Sequence, residues 1–281
     1  MHHRLALAAL AVLPLLLAAP ATAVEGFVGC STSDDYWTFD LETYDVGPAV
    51  DLLPLGNYPY DATITPDGSQ VWFVGASGDG VVVRSRTSGA LVALIPVADY
   101  VIGVAFNNDG SRAFVTSRGD ASLSVIDTAT YSIIDTLPIP SGYLGAGNLA
   151  LEPNTGNLYV VDWYDARLFE VAPDGTAVLR QADLGDSLWQ VVASPGGGFV
   201  YVTDRGTDEV LEVDLDTFTV SRRFAVGDDP WGLDINDDGT RLVVTCEDSS
   251  DILFIDLSTG TVVPLPLDPG ADPRDVDILD D

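Results

Sequence analysis

Histidine occurs only at His2 and His3, and the chain has no lysine. Beyond those two positions there is no imidazole base, no Ser-His-Asp triad and no histidine metal site. No amine side chain is present to act as a nucleophile or form a Schiff base. Two cysteines, Cys30 and Cys246, are too few to close a zinc site. The stretch Asp234-Ile235-Asn236-Asp237-Asp238-Gly239 opens like a calcium loop, but its twelfth position is Thr245, where a bidentate glutamate belongs. It reads instead as a hairpin turn. What remains is binding chemistry. Tyr60, Asp61, Arg118, Trp163, Trp189, Arg205, Trp231, Arg274 and Asp275 combine aromatic faces, guanidinium forks and carboxylates. Together such groups hold rings and charged substituents. Asp162 and Asp204, with Asp61 and Asp275, are weaker candidates for holding a divalent cation such as calcium; no other cofactor is expected.

A repeat of about 42 residues brings these residues to one place. Each unit reads as four short strands, with Val, Ile, Leu and Thr in the strands and Gly, Asp, Asn and Ser in the turns. Asp67-Gly68, Asp109-Gly110, Asn154-Thr155-Gly156, Gly196-Gly197 and Asp238-Gly239 hold the first turn. A large apolar residue follows in strand two at Trp72, Phe114, Tyr159, Tyr201 and Val243, spaced by 42, 45, 42 and 42 residues. Residues 57–97, 98–140, 141–184, 185–227 and 228–270 are five whole units. Residues 24–56 lack a first strand, and residues 271–281 supply a first strand with nothing after it. The expected fold is therefore an all-β, six-bladed β-propeller of four-stranded antiparallel blades, in which the C-terminal strand completes the N-terminal blade and leaves no open edge. In such a ring the connections entering strand one and those leaving strand two share one face around the channel. The aromatic, arginine and carboxylate residues above fall on that rim. Cys30 and Cys246 occupy equivalent places in neighbouring blades. A disulfide between them and two free thiols are both open, because equivalent points on adjacent blades usually lie beyond the Cα separation of about 7 Å that a disulfide allows.

Residues 1–23 read as a secretory signal: Arg4 in a short basic start, the apolar run Leu5–Ala19, and the small-x-small site Ala21-Thr22-Ala23. Export to the periplasm or beyond is expected, with no later membrane span. The formal charge of −31 makes nucleic acid and anionic lipid poor partners. A monomer that binds a protein or a small molecule is expected.

Tyr201-Val202-Thr203-Asp204 is one residue from YVTN. Thr65-Pro66-Asp67-Gly68 and Ser194-Pro195-Gly196-Gly197 are similar to an SPDG turn, and Ser124-Val125-Ile126-Asp127-Thr128 to the third strand that follows it. The chain thus resembles the YVTN-repeat (YncE-like) β-propellers over residues 24–281, with six units where that family commonly has seven and no complete YVTN. The resemblance implies an exported propeller without assigned chemistry. The rigid ring, its variable loops and the lack of an obvious catalytic set favour a non-enzymatic binding scaffold; the alternative is a divalent-cation-dependent hydrolase or lactonase-like propeller using rim carboxylates.

Overall fold

The computed structural model describes residues 25–30, 35–40, 50–51, 59–75, 80–141, 145–271, 273–276 and 278, and every regular element among them is a strand. The strands β1 (Glu25–Cys30), β2 (Asp35–Asp40) and β3 (Val50–Asp51) form a three-stranded sheet. Five four-stranded antiparallel sheets follow. The first contains β4 (Pro59–Ile64), β5 (Gln70–Gly75), β6 (Gly80–Ser85) and β7 (Leu91–Pro96). The second contains β8 (Val101–Phe106), β9 (Arg112–Ser117), β10 (Ser122–Asp127) and β11 (Ser132–Pro138). The third contains β12 (Ala146–Leu151), β13 (Leu158–Asp162), β14 (Arg167–Val171) and β15 (Val178–Asp183). The fourth contains β16 (Leu188–Ala193), β17 (Phe199–Asp204), β18 (Glu209–Asp214) and β19 (Thr219–Ala225). The fifth contains β20 (Pro230–Ile235), β21 (Arg241–Cys246), β22 (Asp251–Asp256) and β23 (Thr261–Pro266). Strands pair in chain order within each sheet, and β4, β8, β12, β16 and β20 pack successively against one another.

The second strand of each four-stranded sheet is buried on both faces, and Trp72, Phe73, Phe114 and Tyr159 are almost wholly enclosed. A sheet covered by a neighbour on each side needs this run of large apolar residues, each worth about 1.5–3 kcal/mol when buried. The fourth strands lie outermost and leave Leu91, Leu94, Ile134, Leu179 and Val263 exposed. The first-turn glycines Gly68, Gly110, Gly156, Gly197 and Gly239 all have φ between 69° and 76°. A side chain resists that left-handed conformation, which explains why glycine holds this turn in every four-stranded sheet. Aspartates hold the other turns: Asp127, Asp214 and Asp256 accept backbone N–H bonds from the residues that follow them. Much of the acidic excess is thus turn chemistry.

Two ion pairs bolt neighbouring sheets together with the same 42-residue period. Glu170 in β14 accepts from Tyr159 Oη (2.8 Å), Asn157 Nδ2 (2.8 Å) and Arg180 Nε. Arg180 also donates to Leu215 O of the next sheet (2.5 Å) and lies over Phe218. One sheet on, Glu212 pairs with Arg222, which donates to Leu257 O (2.7 Å). Burial alone would raise both glutamates, but hydrogen bonds from these arginines and their neighbours outweigh it and hold the carboxyls low.

The C-terminal segment departs from the sequence expectation. Residues 273–276 and 278 form no strand, so the described structure is five four-stranded sheets and one three-stranded sheet rather than six complete blades. Pro273 has no N–H for a ladder, and the bonds described for this segment run to the fifth sheet or stay within it. Ile278 N donates to Asp234 Oδ2 (2.6 Å), Arg274 pairs with Glu247, and Val276 N donates to Asp275 Oδ1 (2.9 Å). The segment nevertheless lies where a next inner strand would lie. A Cβ added to Gly232 of β20 would come within 2.8 Å of Asp275 Cα. At the aligned Gly103 of β8, an added Cβ would meet Asn148 of the next inner strand.

Candidate functional site

The first residues of the inner strands and of the loops after the second strands meet on one face. Trp189 of β16 is its centre and is nearly buried, at 6% exposure. Its ring lies 4.4 Å from Trp231, 5.4 Å from Trp163 and 6.2 Å from Tyr60, centroid to centroid. Trp189 is therefore the floor of the cluster. Trp163, Trp231 and Tyr60 are half-buried around it.

Arginines alternate with these rings. The guanidinium carbon of Arg118 lies 4.2 Å from the Trp163 centroid, and that of Arg205 lies 5.6 Å from Trp163 and 4.0 Å from Trp231. Arg274 lies 5.0 Å from Trp231. The order Arg118, Trp163, Arg205, Trp231, Arg274 is a ladder of cations and indoles crossing consecutive sheets and ending on the C-terminal segment. Each such contact contributes about 0.5–2 kcal/mol, more as water is excluded.

Carboxylates and hydroxyls fix the rungs. Asp229 accepts both Arg205 Nε (2.6 Å) and Nη2 (2.7 Å), and also Trp231 Nε1 (3.0 Å). Burial alone would raise Asp229, but the Arg205 and Trp231 hydrogen bonds keep it below the usual range. Trp163 Nε1 donates to Ser187 Oγ (2.6 Å), Arg118 Nη2 to Tyr164 Oη (2.7 Å), and Arg274 Nη2 to Glu247 Oε1 (2.5 Å). Tyr100 completes the ring opposite, 6.1 Å from Tyr60 and under Arg118. Its φ of 64° is unusual for a bulky residue; such strain costs about 1–3 kcal/mol and gathers at ligand-holding sites. Burial, then the bond to Tyr100, pushes the Tyr60 phenol up to about 12.

The acidic candidates separate into two groups. Asp61 Oδ2 accepts Val104 N of the neighbouring inner strand (3.1 Å), and Asp275 stands on the C-terminal segment beside Gly232. Water reaches Asp275, yet protein surrounds enough of it that desolvation raises its carboxyl; Asp234 is raised by the same cause. Asp162 and Asp204 sit at the ends of β13 and β17 and are fully buried. Asp204 accepts from Asp186 N, Ser187 N, Gly206 N and Thr207 Oγ1, which ties two loops together. Asp162 accepts from Tyr164 N and Asp165 N, and burial raises its carboxyl. Among the described residues no group of three or more metal-ligating side chains converges. The calcium-like stretch is a hairpin between β20 and β21, with Asn236 and Asp238 bonded to Thr240. Cys246 is a buried free thiol that burial pushes up to about 12; the side chain of Cys30 lies outside the described residues.

Sequence register located the indoles and arginines but missed Tyr100, Tyr164, Asp229 and Ser187. Asp229 and Ser187 were visible as equivalent positions, each two residues before a rim tryptophan. Tyr100, two residues before the aligned Ile102, carried the same signal.

No protein-family profile and no curated protein matches the sequence. Solved structures do. The chain is similar to hydrazine synthase of Kuenenia stuttgartiensis at 19% identity and TM-score 0.75, over 83% of this chain and 73% of that one. It is similar to a functionally unknown protein from Desulfotomaculum acetoxidans at 17% identity and TM-score 0.71, over 88% and 83%. It is also similar to virginiamycin B lyase from Staphylococcus aureus at 11% identity and TM-score 0.75, over 91% and 85%. Identities this low establish architecture alone. Four-stranded antiparallel sheets packed in sequence through their first strands, together with these likenesses, make the chain a β-propeller.

Proposed function

We propose that this chain is an exported, non-enzymatic β-propeller of the YVTN-repeat kind, six-bladed when the C-terminal segment is counted with β1–β3, that binds a small molecule or partner through the aromatic–arginine rim. The observation that carries this reading is the cation–indole ladder across consecutive sheets. A structural need for stability would not call for three arginines stacked on half-buried indoles at one mouth, where their preorganised faces suit recognition. The alternative, a cation-dependent hydrolase, draws no support from Asp204, whose oxygens are taken up by loop amides and Thr207. The low-identity likeness to a lyase and to hydrazine synthase carries no chemistry to this chain.

The test is a small-molecule screen read by tryptophan fluorescence, since three of the five tryptophans belong to the rim. Trp231→Ala is expected to weaken a rim ligand about thirtyfold, the loss of a hot-spot tryptophan worth about 2 kcal/mol. Unchanged affinity in that variant, with its melting transition intact, would remove the rim from the account.

A further inference from the structure

The three rim arginines are not equivalent. Arg205 is neutralised by Asp229 through two bonds, and Arg274 by Glu247. Arg118 is half-buried, and no carboxylate lies within ion-pair distance of it among the described residues. Its side chain donates to the neutral Tyr164 hydroxyl and lies near the rings of Tyr100, Trp163 and Tyr164.

The repeat explains the difference. Arg118, Trp163 and Arg205 share one register position, spaced by 45 and then 42 residues. The position that answers them is the residue just before the next inner strand, Gly145, Ser187 and Asp229, whose carbonyls accept from Trp163 N, Arg205 N and Glu247 N. Asp229 pairs with Arg205, and Ser187 accepts from Trp163. The slot belonging to Arg118 holds Gly145, which has no side-chain acceptor to offer.

A guanidinium in a site sheltered from water gains most from a charged acceptor. Aromatic surface adjoins it: Tyr164 is 50% exposed and Tyr60 is half-buried. The faces of Trp163 and Trp231 are already occupied by the protein's own guanidiniums, so a cationic ligand would meet like charge there. The acidic chain, with Asp61 and Asp275 near the channel, opposes a multiply charged anion.

We propose that Arg118 is the anion-recognising residue of the rim and that its ligand is a small aromatic monocarboxylate, the carboxylate taking the place that Asp229 takes on Arg205. This rests on the rim being the binding face, and the experiment separates the two. Calorimetric titrations of the full protein use phenylacetate, its neutral isostere phenylacetamide, and inorganic phosphate. Phenylacetate is expected to bind about tenfold or more tighter than phenylacetamide, as a charge-assisted hydrogen bond implies, and tighter than phosphate. Arg118→Gln should erase the preference for carboxylate over amide while the variant still unfolds in a single cooperative transition. Equal binding of acid and amide, or a preference that survives Arg118→Gln, overturns the assignment to Arg118 and leaves rim binding standing. Phosphate binding as tightly as phenylacetate overturns the aromatic part. If neither phenylacetate nor phenylacetamide binds, the assignment of an aromatic monocarboxylate to Arg118 falls, while the rim reading is decided by the Trp231→Ala screen.

Discussion

Deletion of residues 272–281 is expected to lower the melting temperature by about 10 °C. The segment contributes the Arg274–Glu247 ion pair, the Arg274–Trp231 stack and the Ile278 N bond to Asp234. Charge-assisted bonds are worth about 1.5–3 kcal/mol each, and Glu247, with only 15% of its side chain exposed, would lose its partner in a sheltered place. The sum is about 4 kcal/mol, which for a domain of this size moves the transition by about 8–16 °C. The deletion also uncovers the face of β20 at Gly232, against which the segment lies. Gly232→Val provides a milder version, because its side chain would press on the backbone of Arg274 and Asp275. A deletion variant melting within a degree or two of the full chain would show that the segment does not hold the ring.

Arg222→Met is expected to destabilise the fold by about 2–4 kcal/mol, because it leaves Glu212, 5% exposed, without its counter-charge. Arg180→Met should behave alike at Glu170. Both glutamates have depressed folded pKa values. Their contribution is therefore complete above the ordinary glutamate range, near pH 4.3, and is lost as pH falls through the depressed values. The wild-type advantage over Arg222→Met should be full at pH 7 and shrink below about pH 4. Denaturant unfolding at the two pH values measures it. An advantage that is the same at pH 3 and pH 7 would assign the loss to packing of the arginine stem over Phe224. The last repeat replaces this pair without charge: Phe254 and Pro264 stand where Glu212 and Arg222 stand one sheet earlier.

The architecture was legible because a strand-turn unit returns about every 42 residues with glycine at its first turn, where φ is positive. The same register placed Trp163, Trp189, Trp231, Arg118 and Arg205 on one face, since equivalent positions on consecutive blades are neighbours. Other features were hidden for identifiable reasons. Tyr100 adopts a left-handed backbone of which its bulky side chain gives no hint. The buried Glu170 and Glu212 sit in strands that read as apolar, and their repeated spacing with Arg180 and Arg222 was the available signal. The C-terminal segment matched a first strand in pattern, but Pro273 and the pull of Glu247 and Asp234 on Arg274 and Ile278 set its contacts. Trp189 was expected on the rim surface and forms its floor, because register fixes a residue's place around the ring but not its depth.

The most direct test of the binding face is the indole N–H region of a nitrogen–proton correlation spectrum during titration with phenylacetate. Five tryptophans give five signals. The account predicts that those of Trp163 and Trp231, held by Ser187 and Asp229, shift as the ligand fills the rim. Trp72, bonded to Gln70 in the core between the first and second four-stranded sheets, stays where it is. Saturable movement of the Trp72 signal with Trp163 and Trp231 unmoved would place binding elsewhere and contradict the account.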